Sequence, residues 1–192
     1  MSRTQAELVC PPLIGLISIF NLIRRLQYTA KSVLSPYVTE GMKVVEPGPA
    51  IGFFTIELAR MVGSQGRVFA LDIQSKMLDA LRRRALRAGL LDRINLRLVK
   101  PDCLGIQDLD GKTDFFLAFF MVHEVPNQRR FFEEASQSLR RGGKLLFVEP
   151  KGHVSEKRFV EELGLAAATG LRVESRPAIR GSRTAVLVKD ST

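Results

Sequence analysis

The sequence predicts a doubly wound α/β fold, a mostly parallel sheet with helices on both faces, and three observations point to it. From residue 42 onward, apolar runs of strand length alternate with longer stretches of helical period. Several of the short runs, such as TDFFLAFFMV and GKLLFVEP, show no inside–outside alternation, as strands buried on both faces do. Glycines, acids and histidines recur where these runs end, and open α/β sheets hold their ligands at the carboxyl ends of their strands.

The chain of 192 residues is 45% apolar and 26% charged, which suits a single domain over 1–192 with a sizeable core. It shows no repeats, no low-complexity tracts and no long linker. The two cysteines, Cys10 and Cys103, imply no disulfide framework and fit a reducing, cytoplasmic setting.

Taken in order, the N-terminal LVCPPLIGLISIFNLIRR is apolar from Leu8 to Ile23 and then abruptly basic. Pro11, Pro12 and Asn21 interrupt it, and it falls short of the ~20 residues a spanning helix needs. Its strong charge follows the apolar part, the reverse of a secretory signal. Residues 1–36 are therefore expected to form a helical extension, or a lid that presents Leu13, Ile14, Ile17 and Phe20 to the main domain. Peripheral membrane contact or dimerisation through this helix are the other readings.

The strands expected next are MKVVEP, RVFALD, INLRLV, TDFFLAFFMV and GKLLFVEP. Between them, FFTIELARMV, SKMLDALRRRALRAGL and QRRFFEEASQSLRRG read as helices. In the last, Phe132, Ala135 and Leu139 share a face, and Gly142-Gly143 is expected to stop the helix. SEKRFVEELGLAAATG is a further helix. The closing LRVESRPAIRGSRTAVLVKD reads as two strands around a turn with Pro177 and Gly181, so one strand at the sheet edge should run antiparallel.

The net charge of +9 raises the question of a nucleic-acid partner. Much of it lies in LRRRALR, Leu81 to Arg87, opposite the apolar side formed by Met77, Leu78, Leu81 and Ala85. A solvated helix face explains that pattern, and no aromatic residues interleave with the arginines as a stacking platform would need.

The strand ends supply the candidate site. They carry Glu46, Gly48, Ala50 and Gly52 after the first strand, and Asp72 and Ile73 after the second. Asp102 and Cys103 follow the third, His123 and Glu124 the fourth, and Glu149, Lys151 and His153 the fifth. In VVEPGPAIGFF, Gly48 permits a tight turn, and Gly52 lets helix and strand pack closely while amides face a ligand. Asp72, twenty residues beyond Gly52, can accept both hydrogens of a ribose diol, although an N-cap role before QSKML is the competing reading. The spacing differs from the Gly-x-Gly-x-x-Gly of a pyrophosphate cradle. Glu46 would repel a diphosphate but suits an ammonium group.

On these residues, the chain from about Tyr37 to the end resembles the class I S-adenosylmethionine-dependent methyltransferases. It is most similar to small stand-alone members related to the ubiquinone/menaquinone C-methyltransferases. The acid-x-Gly-x-Gly-x-Gly loop is matched by Glu46, Gly48, Ala50 and Gly52, with Ala50 replacing a glycine. An alanine is accommodated there if its φ is negative. The ribose acid is matched by Asp72 in VFALDIQSKML, the adenine-side acid by Asp102 beside Cys103 in KPDCLG, and Leu-x-x-Gly-Gly by LRRGGKLLFVEP. The resemblance implies a seven-stranded Rossmann-like sheet of order 3-2-1-4-5-7-6 over 37–192, S-adenosyl-L-methionine as cofactor, and a methyltransferase activity.

Methyl transfer from a sulfonium is an in-line displacement that gains from orientation and from a base near the acceptor. His123, Glu124 and His153 are the candidates for acceptor-side chemistry, with a strand or helix cap as the plain alternative for His123. No metal is expected, because sequence neighbours at a strand end point in different directions. The expected acceptor is a small molecule, apolar or aromatic. The alternative is an RNA-directed methyltransferase or a basic RNA-binding protein on the same fold, acting as monomer or homodimer.

Overall fold

Strand β4, Thr113–Phe119, shows how the two layers assemble. Phe115, Leu117 and Phe119 enter one apolar cluster, while Phe116 and Ala118 enter the other. The period of two thus serves two cores at once, which is why the run is apolar throughout.

In this computed structural model residues 29–190 are described. The chain runs α1 Ala30–Leu34, β1 Lys43–Pro47, α2 Thr55–Met61, β2 Arg67–Asp72, α3 Ser75–Arg87, β3 Ile94–Leu98, β4, α4 Gln128–Ser138, β5 Leu139–Pro150, α5 Glu156–Ala167, β6 Leu171–Ser175 and β7 Ser182–Lys189. The lid expected from Leu13, Ile14, Ile17 and Phe20, like Cys10, lies outside the described residues.

The seven strands lie in the order β3-β2-β1-β4-β5-β7-β6, as expected. β1 pairs in parallel with β2 and with β4, so the strand order reverses between β1 and β4 and leaves a crevice there. β7 runs antiparallel to both β5 and β6. The antiparallel strand is therefore one place in from the edge; the edge strand β6 has the direction of β5.

One face is covered by α1, α2 and α3, through Val33, Leu58, Ala59, Leu81 and Ala85. The other is covered by α4 and α5, where Phe147 stacks on Phe159 at 5.0 Å and meets Phe132 edge-on at 5.5 Å. Arg82, Arg83 and Arg87 of α3 are exposed, as a solvated helix face requires.

Two boundaries differ from expectation. Helix α4 ends at Ser138, with Leu139 already extended, so Gly142 and Gly143 do not stop it. They form instead a register shift early in β5, opposite Thr113 and Phe115 of β4. The fourth strand ends at Phe119: Phe120 takes φ +57° and residues Val122–Glu124 form a 3-10 turn.

Candidate active site

The loop after β1 is built from glycine geometry. Gly48 (φ +67°) and Gly52 (φ +84°) both occupy the left-handed region, and a Cβ on Gly52 would lie 2.4 Å from Leu81 Cδ1. Close packing of α3 therefore requires glycine at 52. Ala50 also stands at φ +50°. The negative φ that would accommodate its methyl is not what the loop adopts, and the alanine holds the conformation that its glycine counterparts take freely. Arg84 of α3, half-buried, donates to the Ile51 carbonyl at 3.1 Å and ties the loop to the helix. The arginine run in the sequence gave no sign that one member has this task.

Two acids face the loop. Glu46, 4% exposed at the end of β1, has one carboxyl oxygen, Oε2, with no partner among the described residues. Burial, opposed by the neighbouring Thr55 hydroxyl and reinforced by Asp72, pushes its pKa up to about 7. Asp72, buried at the end of β2, accepts from the Gln74 N–H at 2.9 Å. Burial raises its pKa to about 6, while the amides of Gln74, Ile73 and Ala50 hold it down. The Asp72 side chain does bond near the start of α3, but Gln74, not Asp72, occupies the cap position. Ile73 is half-buried beside it. Asp102 is exposed and Cys103 half-buried in the loop after β3, where the Cys103 N–H donates to the Lys100 carbonyl at 3.2 Å.

The ends of β4 and β5 form the other half. The Glu149 carboxylate, fully buried in β5, accepts from the His123 backbone N–H at 3.0 Å and lies 2.5 Å from His123 Nδ1. This contact, and after it the opposing cost of burial, decides the imidazole's pKa, which lies above the ordinary value of 6.5. With Nδ1–H on the carboxylate, the lone pair of neutral His123 is on Nε2. Glu124, on the open side of the turn, sits 3.9 Å from that nitrogen; partial burial of its carboxyl raises its pKa, against the pull of His123. The His153 ring meets His123 edge-to-face at 5.7 Å. Lys151, exposed, donates its backbone N–H to the Gly181 carbonyl at 3.0 Å.

The two halves adjoin. A Cβ on Gly48 would stand 3.5 Å from Met121 Cβ, so the β1 loop touches the residue that opens the His123 turn. An aromatic series also spans them, with ring centroids 4.9 Å apart for Phe53–Phe54, 4.5 Å for Phe54–Phe119 and 4.6 Å for Phe119–Phe120. Phe54 is buried in the core, while Phe53 and Phe120 pack against it and remain partly exposed.

The structure thus brings together Glu46, Gly48, Ala50, Gly52 and Asp72 on one side and His123, Glu124 and His153 on the other. Among the described residues no group of three or more His, Cys, Asp or Glu side chains is arranged to hold a metal ion. Glu149 stands at a strand end in the sequence, but nothing there shows that it is the partner of His123. Only the parallel register of β4 with β5, which sets Phe119 against Val148, brings their ends side by side.

Comparison with known proteins adds to this geometry. A family model described as a methyltransferase domain matches residues 44–143. The ubiquinone/menaquinone biosynthesis C-methyltransferase of Brucella canis is 28% identical over 116 residues, which cover 60% of this chain and 42% of that protein. The chain thus matches under half the length of this curated relative. A SAM-dependent methyltransferase from Aquifex aeolicus superposes with a TM-score of 0.72 at 23% identity, covering 84% of this chain and 91% of that one. A SAM-dependent O-methyltransferase from Thermotoga maritima gives 0.67 at 18% identity, with 85% and 65% covered. At these identities the two structures speak for the fold.

Proposed function

Because the chain belongs to the class I S-adenosylmethionine-dependent methyltransferases, we propose that it methylates a small apolar or aromatic acceptor, with His123 as the base. The observation that carries this reading is the His123–Glu149 pair, 2.5 Å apart, beside the loop of Gly48.

The residues present fit the cofactor. The unpartnered Oε2 of Glu46 suits a buried hydrogen-bond donor such as an ammonium group. In this reading Asp72 would accept from a ribose diol, the turn at Gly48 and Gly52 would admit close approach, and Ile73, Asp102 and Cys103 would flank the adenine. S-adenosylmethionine supplies an electrophilic methyl group when bound there.

The chain's own part is orientation and proton handling. Neutral His123 accepts at Nε2 the proton of an acceptor O–H, N–H or acidic C–H as the acceptor–methyl bond forms. The electrons of the broken carbon–sulfur bond remain on sulfur. Glu149 stabilises the resulting imidazolium through Nδ1–H, and His153 and Glu124 border the same face. General-base assistance of this kind contributes ~10²–10⁴-fold.

Phe53 and Phe120, the partly exposed ends of the aromatic series, favour an apolar or aromatic acceptor. The RNA reading rests on the exposed arginines of α3. That helix packs on β2 and β3, whereas His123 follows β4. A salt titration of binding to mixed RNA separates the readings: steep loss of affinity with salt favours RNA.

The test has two arms. Calorimetry with S-adenosylhomocysteine should show binding that Asp72→Ala weakens by about 1.5–3 kcal/mol. Release of S-adenosylhomocysteine in the presence of phenols, catechols and quinols should reveal turnover that His123→Ala lowers ~10²–10⁴-fold with cofactor affinity unchanged. A His123→Ala enzyme of equal activity removes the histidine from the reaction.

A further inference from the structure

Glu162 of α5 is 1% exposed and carries a carboxylate that no step of the proposed reaction uses. Its Oε1 accepts from Gln128 Nε2 at 3.0 Å and from Arg158 Nε at 3.2 Å. Both partners also reach the 3-10 turn of His123. Gln128 Nε2 donates to the Val122 carbonyl at 2.9 Å, and an Arg158 terminal nitrogen donates to the His123 carbonyl at 2.9 Å. One buried carboxylate oxygen therefore fastens the two side chains that bind consecutive carbonyls of this turn.

We propose that Glu162 is a positioning residue for His123, acting through Gln128 and Arg158, and the proposal rests on the reading of His123 as the acceptor-side base. Helix capping places both intermediaries. Asn127 caps α4 directly before Gln128, and Ser155 caps α5 by accepting the Arg158 N–H at 3.2 Å. The side chains thus start from fixed helix ends and meet the turn from the α4–α5 face, while Glu149 meets it from the sheet. His123 has its backbone N–H and its imidazole on Glu149 and its carbonyl on Arg158. Little freedom remains for the ring.

Stability alone does not account for Glu162. Its Oε2 is buried with no partner among the described residues, and burial together with Glu149 raises its pKa. A buried charge in that condition is weak as a stabilising device, and apolar replacement of such groups is often neutral or favourable. What an apolar residue could not do is hold Gln128 and Arg158 in register with two carbonyls.

The test reads the imidazole directly by ¹H–¹⁵N NMR of the full chain, without cofactor or acceptor. His123 and His153 are the only histidines, so a His153→Gln variant assigns both. The groups facing His123 are Glu149 from β5, Glu124 from its own turn, Arg158 from α5 and His153 from the loop after β5. Arg158→Ala is decisive because two causes then pull in opposite directions. Losing a nearby positive charge would raise the His123 midpoint, whereas loosening its bond to Glu149 would lower it.

Positioning predicts that Arg158→Ala and Glu162→Ala both move the midpoint down toward ~6.5 and broaden the Nδ1–H signal. Glu162→Gln, which keeps an acceptor oxygen for both partners, should retain the wild-type signal and midpoint. A midpoint that rises or stays fixed in Arg158→Ala overturns the proposal. So does a folded Glu162→Ala with an unchanged Nδ1–H signal. If Glu162→Ala does not fold, Gln128→Ala takes its place with the same two outcomes. Failure here leaves His123 as base untouched, because that role is decided by the turnover of His123→Ala.

Discussion

Two buried glutamates stand near the carboxyl ends of β1 and β5, on either side of β4, and live differently. Glu46, near the end of β1, has its Oε2 without a partner among the described residues; Glu149, in β5, has both oxygens engaged by His123. Both are nearly sealed from solvent, at 4% and 0% exposure. A buried polar atom without a partner is costly, and native structures rarely keep one without a use. The contrast separates a carboxyl reserved for an incoming donor from one committed to orienting a neighbour. That contrast is what the proposed division rests on, with the cofactor at the β1–β2 half and proton transfer at the β4–β5 half.

The largest expected effect comes from breaking the committed carboxylate. Glu149→Gln has the same shape, and its amide oxygen can still accept the His123 backbone N–H. Its NH₂ group, however, would donate to Nδ1 and place the imidazole proton on Nε2, where the acceptor's proton has to go. Turnover should fall by ~10²–10⁴-fold with S-adenosylhomocysteine affinity unchanged, read by product release and calorimetry. Unchanged turnover would mean that the pair is only structural.

A smaller effect, of different character, is expected at the reserved carboxyl. Glu46 is raised from 4.5 to about 7 and Asp72 from 3.8 to about 6. Within those windows the folded protein keeps protons that the unfolded chain has released, so stability falls as pH rises. For Glu46 the loss approaches ~3 kcal/mol by pH 8. Glu46→Gln should remove that part of the pH dependence in denaturant titrations and stabilise the protein at pH 8. Cofactor affinity should move the other way. An ammonium group is bound by the ionised acid, so wild-type affinity should rise with pH through about 7, and Glu46→Gln should flatten the curve and weaken binding ~10–100-fold at pH 8. His123 has the same sign in a higher window: its contribution is complete below ~6.5 and is lost as pH rises through its raised pKa. Glu149→Gln should abolish that limb and leave the one from Glu46, which makes the two ends separable in a single experiment.

The two ends were also unequally legible in the sequence. The cofactor half is local: Glu46, Gly48, Ala50 and Gly52 lie within seven residues, and the turn they form follows from glycine and proline chemistry. Asp72 ends the neighbouring strand. The strands themselves were readable because a sheet covered on both faces leaves long apolar runs, as in β4. The acceptor half is assembled across the sheet. Glu149 and Glu162 reach the His123 turn over 26 and 39 positions of chain, and no spacing rule links them. Glycines mislead where tertiary pairing overrides local preference, as Gly142-Gly143 do within β5.

The smallest effect concerns backbone strain, and it too distinguishes the two ends. Ala50 (φ +50°) and Phe120 (φ +57°) are the described non-glycine residues in the left-handed region, one in each half. That conformation costs an L-residue ~1–2 kcal/mol, while a glycine gives back ~0.4–1 kcal/mol through the unfolded chain. Ala50 has a small side chain and is only half-buried. Ala50→Gly should therefore stabilise the protein by a few tenths to ~1 kcal/mol, a rise in melting temperature of ~1–4 °C. Phe120→Gly gains the same relief but loses a ring whose centroid lies 4.6 Å from that of Phe119. It should destabilise the protein by ~1 kcal/mol. Opposite signs in thermal denaturation would mean that the cofactor loop tolerates its strain as a residue of sequence choice, whereas the acceptor end keeps its strain because the aromatic side chain is needed there. Two changes of the same sign would remove that distinction and leave Phe120 without a special claim on the acceptor.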